Sequence, residues 1–125
     1  MIDATSFADV EDALVTAADP LLDDVMVTNE TPPIIPAKLV TVAHAGGGTR
    51  DWGEASVNVG VNIYAETDEG CRQLVQRTLN AFATISNDLI EHVRVPSGGV
   101  PVPGQTPPFH RYLAVTVWLR GQSAL

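Results

Sequence analysis

Three histidines, one cysteine, a run of glycines and an Arg-Asp-Trp sequence are the residues of this chain with types suited to chemistry. His44, His92 and His110 stand singly, without the close pairing that zinc ligands show, so no metal site is expected. Gly46-Gly47-Gly48-Thr49 has the glycines of a phosphate cradle. A P-loop also needs a lysine after them and a helix behind, and here Arg50-Asp51-Trp52 and a strand follow. The glycines therefore read as a flexible hairpin tip. Ser97-Gly98-Gly99 lacks the strand-turn-helix setting of a nucleophile elbow. Asp23-Asp24 and Asp68-Glu69 read first as a solvated turn and a helix start. No Ser-His-Asp order stands out either. No catalytic residue is assigned, and neither an enzymatic activity nor a cofactor is expected.

Arg50, Asp51 and Trp52 suit a different task. An exposed Trp buries much area at small entropic cost, and a neighbouring Arg can pair with a carboxylate. Trp52 either anchors a contact with another molecule or folds back on its own hairpin. Cys71, on the apolar side of an expected helix with no histidine beside it, reads as a buried, inert thiol.

The elements that must position these residues follow from hydrophobic spacing. A first helix is expected from Ser6, with Asp9 three residues on in a box-like cap. Its stripe is Phe7, Val10, Leu14, Ala17 and Ala18, and Pro20 ends it. Val25, Met26 and Val27 suggest a short strand, and the prolines of segment 31–36 a stiff connector. Residues 38–45 and 54–66 read as two strands joined across the long tip 46–53. In the second of these, Val57, Val59, Val61 and Ile63 alternate with Asn58, Gly60, Asn62 and Tyr64, leaving one face wet or partner-facing.

Thr67 caps the second helix, with Cys71, Leu74, Val75, Thr78, Leu79 and Phe82 as its buried stripe. Segment 89–95 reads as either a short strand or an extended stretch. Segment 96–108 is a long Pro- and Gly-rich loop, of the kind that binds something or orders on assembly. The last strand, about 110–120, carries apolar groups on both faces. The expected fold is α+β in the order α-β-β-β-α-β. Its four-stranded, mixed and mostly antiparallel sheet carries two helices packed on one face. Tyr64, Tyr112 and Trp118 are left on the other face, and an apolar patch of this kind marks a subunit contact. With Phe109 at the end of the loop and Arg50, Asp51 and Trp52 at the tip, they form the candidate interface.

Composition narrows the function further. A chain of 125 residues, 45% hydrophobic and 18% charged, suits one domain with a real core. Fifteen acidic against seven basic residues give a formal charge of -8, which repels phosphates and argues against general nucleic-acid binding. No apolar run is long enough to span a bilayer and no signal pattern opens the chain, so no membrane role is expected.

Over residues 38–82 and 110–120 the chain resembles the tail terminator proteins of long-tailed, siphovirus-type actinobacterial phages. The strand 38–45, the tip Gly46 to Trp52, the strand 57–65 ending in Tyr64-Ala65, the Thr67-capped helix and the strand 111–120 carry the resemblance. It implies a homohexameric ring in the virion tail or neck, assembled in the host cytoplasm. Such a ring caps the tail tube, ends its polymerisation and joins the tail to the head. Implied partners are further copies of the chain, the tail tube protein and the head-tail connector or head completion protein. DNA would pass through the channel without specific binding, and acidic walls suit that passage. The alternatives are a connector or neck completion protein and, further off, a small ligand-binding domain with loop 96–108 as its lid.

Overall fold

Two twelve-residue strands, β5 (Glu54–Ala65) and β8 (Phe109–Arg120), pair antiparallel along their whole length and form the spine of the molecule. The computed structural model describes residues 5–6, 9–46, 50–51, 54–102 and 107–123. Outward from the spine, β3 (Lys38–Gly46) pairs antiparallel with β5, and β2 (Met26–Thr28) lies parallel to β3 at one edge. At the other edge β6 (Ile90–Arg94) pairs antiparallel with β8. The strand order is therefore β2-β3-β5-β8-β6. Two-residue strands extend it: β4 (Arg50–Asp51) returns onto β5, and β7 (Val100–Pro101) onto β8. A separate pair joins β1 (Thr5–Ser6) to β9 (Gln122–Ser123).

This corrects the expected four-stranded sheet and its α-β-β-β-α-β order. Segment 89–95 is a genuine edge strand, because Ile90 and Val93 are buried and Val93 lies opposite Val117. Loop 96–108 is likewise not structureless, since β7 adds a short rung to β8. The mixed α+β class stands.

Helix α1 (Val10–Ala18) starts later than its spacing suggests. Ser6 belongs to β1, and Asp9 is itself the cap: its carboxylate accepts from the amides of Glu11 (2.9 Å) and Asp12 (3.2 Å). Two otherwise unpaired donors are satisfied by one anion at the positive end of the helix dipole. The buried face is Val10, Ala13, Leu14 and Ala18, with Ala17 only partly covered and Phe7 outside the described residues. Pro20 lies in a 3-10 turn, Asp19–Leu21, that closes the helix.

Helix α2 (Asp68–Ala83) matches its reading in detail. Thr67 Oγ1 accepts from the Gly70 amide at 2.9 Å, and the buried residues are Cys71, Leu74, Val75, Thr78, Leu79 and Phe82. All of these but Thr78, whose hydroxyl donates to the Leu74 carbonyl, join the buried face of α1 and the inward residues Val40, Val42, Val59, Val61, Ile63, Leu113, Val115 and Val117 in one hydrophobic core. Fully burying each large apolar side chain contributes about 1.5–3 kcal/mol, so this layer dominates stability. Cys71 is fully buried, its thiol 3.4 Å from the Ile63 carbonyl, and burial pushes its pKa up.

Asp24 fastens α2 to the sheet from outside the core. Lys38 Nζ donates to it at 2.8 Å, and Arg77 grips both carboxylate oxygens. The Arg77 guanidinium first, and then the Lys38 ammonium, hold the Asp24 carboxyl far below the usual carboxylate range. A carboxyl so depressed stabilises the fold above its ordinary value of about 3.9, and that contribution disappears as pH falls below it. The exposed setting keeps the effect modest. Asp24→Asn is expected to melt below the wild type at pH 7, with the gap closing toward pH 2. Melting curves across that range check it, and a gap unchanged at low pH would remove the ion pairs as its cause.

The uncovered sheet face as candidate interface

Strand alternation sends every second residue of β5 and β8 away from the helices. On β8 these are His110, Tyr112, Ala114, Thr116 and Trp118; opposite them on β5 lie Tyr64, Asn62, Gly60, Asn58 and Ser56. Beside Trp118 and Thr116 on β6 stand His92 and Arg94, and beside Tyr64 and Asn62 on β3 stand Leu39 and Thr41. The β3 end is buried, with Leu39 wholly inaccessible. The β8–β6 end is open: Tyr112 is 38% exposed, Val100 of β7 is 65% exposed, and His92 and Arg94 lie in solvent.

Two stacked pairs organise this face. Tyr64 and His110, directly opposite across β5 and β8, have ring centroids 4.3 Å apart at an 18° interplanar angle. His110 Nε2 lies 2.6 Å from Asn62 Oδ1, and burial lowers the His110 pKa. The second pair is His92 on Trp118, with centroids 4.5 Å apart and planes 10° from parallel. The Arg94 guanidinium sits 5.3 Å from the same indole, a cation–π contact. Among the described residues Arg94 makes no salt bridge, whereas Lys38, Arg72, Arg77 and Arg111 each pair with a carboxylate.

Gly60 shapes the middle of the face. A Cβ there would lie 2.9 Å from Tyr112 Oη and 3.1 Å from its Cε1, so the tyrosine ring occupies the space of the missing side chain. Any larger residue would lift the ring off the sheet.

Of the residues singled out from sequence, Tyr64, Tyr112 and Trp118 share this face. Phe109 does not. It sits opposite Ala65 and packs against the core on the helix side, the register parity of Leu113 and Val115. Arg50 and Asp51 form β4 at the far end of β5, and Trp52 lies outside the described residues. Sequence reasoning missed His92, Arg94 and His110 as members. The alternation of 110–118 was a usable signal for His110; His92 and Arg94 needed the pairing of β6.

Elsewhere two open grooves are lined by described residues. One of about 700 Å³ runs between α1 and the turn before β6, lined by Asp12, Ala13, Ala17, Asp88 and Leu89 among others. A smaller one of about 200 Å³ lies between α2 and Gly98-Gly99. No group of three metal-binding side chains converges among the described residues, and no helix is long and apolar enough to cross a membrane. No protein-family model and no curated protein matches the chain.

Proposed function

We propose that this chain is a structural virion protein, a tail terminator. Its copies form a ring that caps the tail tube, ends tube polymerisation and joins the tail to the head-tail connector. The observation that carries this reading is the uncovered sheet face, where Tyr112, His92 and Arg94 are exposed and Trp118 is partly exposed, with no helix over them. A sheet face rich in aromatic groups and one arginine has the composition of an interface centre. The formal charge of -8 supports the same reading, because a channel that passes DNA must not hold it. The resemblance over residues 38–82 and 110–120 supplies the expected stoichiometry of six and the neighbours, the tail tube and connector proteins.

Light scattering of the purified chain and electron microscopy of particles test it. The expected result is a ring in solution and density at the head-proximal end of the tail. A strict monomer at high concentration that never joins particles would sink the proposal. Density inside the neck, away from the tube, would reassign the chain to a connector or completion protein.

A further inference from the structure

Charge is segregated in this molecule in a way that its total conceals. The outward positions of β5 from Asn58 to Tyr64, those of β8 from His110 to Trp118, and His92 and Arg94 on β6 include no carboxylate. Their one permanent charge is the positive Arg94; the next pair of the same parity, Glu54 opposite Arg120, adds one charge of each sign. On the helix side lie Asp12 at the start of α1, Asp23 and Asp24 after it, Asp68 and Glu69 at the start of α2, and Asp88 before β6, of which Asp24, Asp68 and Glu69 are paired with Lys38, Arg72, Arg77 or Arg111. The groove beside α1 combines both needs of an aromatic-cationic partner. Ala13, Ala17 and Leu89 give it an apolar lining, and Asp12 gives it negative charge.

We infer that the occupant of this groove is a second copy of the chain, which inserts Trp118 and Arg94 of its open sheet face against Asp12 and the apolar lining. The inference deepens the ring reading and rests on it. The two surfaces are different and lie on opposite sides of the sheet, one on its open face and one among the helices. Contact between unlike patches is head-to-tail; it does not stop at a dimer, and it yields a ring where the rotation between neighbours closes and a filament where it does not. Face and groove are complementary chemically. The groove offers carboxylate to a guanidinium that has no carboxylate of its own among the described residues, and small apolar side chains to an indole that is only half buried.

Charge reversal tests the pairing in the full chain. Arg94→Glu and Asp12→Lys alter exposed side chains, so melting curves close to the wild type serve as the folding control. Each variant alone is expected to weaken self-association ~30-fold or more, read by light scattering over a concentration series. An equimolar mixture of the two is expected to reassemble. In it the open face of the Arg94→Glu variant meets the groove of the Asp12→Lys variant, and the two reversed charges attract. The native Arg94 face of the second variant meets the native Asp12 groove of the first. If both variants assemble like the wild type, these surfaces are wrong while the ring reading stands. If each is monomeric and the mixture stays monomeric, the pairing of Arg94 with Asp12 is wrong. A wild type that is itself monomeric at every concentration overturns both the surfaces and the ring.

Discussion

Truncating Phe82 to alanine is expected to cost about 3–5 kcal/mol, the largest single effect on the fold. Phe82 is wholly buried and is the largest of the fully buried side chains among the described residues. It stands on the last turn of α2, in the same core as Val59, Val61, Ile90 and Leu119. The loss combines the transfer energy of the ring with a cavity that the sheet, fixed by continuous pairing from β3 to β6, cannot collapse to fill. For a domain of this length, each kcal/mol shifts the melting temperature by about 4 °C, so a drop of roughly 12–20 °C is expected. Calorimetry or urea titration measures it directly. A loss below about 1 kcal/mol would mean that α2 does not dock on the sheet as described. Phe109→Ala belongs to the same class on a smaller scale. Its ring is only partly buried, yet it packs against the core, so it should lower stability rather than assembly.

Trp118→Ala is expected to do the reverse. Its indole lies on the open face between His92 and Arg94, while its neighbours Val117 and Leu119 point into the core. Removing it leaves the layer between sheet and helices intact, so the monomer should keep most of its melting temperature. Self-association should weaken by about 2 kcal/mol or more, roughly 30-fold, as for other central tryptophans of protein interfaces. Sedimentation or light scattering over a concentration series reads the change. Assembly unaltered by the loss of Trp118, with the fold intact, would exclude the open face from the subunit contact.

The contrast between Phe82 and Trp118 also marks what is legible in the chain. The buried stripe of α2 is readable residue by residue, because 3.6-residue spacing is a local property and Thr67 is a strong local cap. The alternation of β5 is readable for the same reason, and it assigns Tyr64 correctly to the face away from the core. At α1 two local signals compete. Ser6 and Asp9 both fit a cap, and only the pairing of Thr5–Ser6 with Gln122–Ser123, at the other end of the chain, shows why the helix begins after Asp9. Phe109 goes astray at a strand end: with the strand begun at His110 it reads as loop, whereas one more residue of pairing turns it inward.

Local spacing in the chain is thus enough for the α+β class, both helices, the two long strands and the strongly acidic balance, all of which depend on composition or on neighbours a few residues apart. Long-range pairing settles the rest: the fifth strand, the stacking of His92 on Trp118 and the grip of Arg77 on Asp24 across 53 residues. Those features depend on strand order and register. Many strand orders bury the same apolar residues nearly equally well, and a short segment such as Ile90–Arg94 has too little periodicity to choose its partner until the whole core has formed.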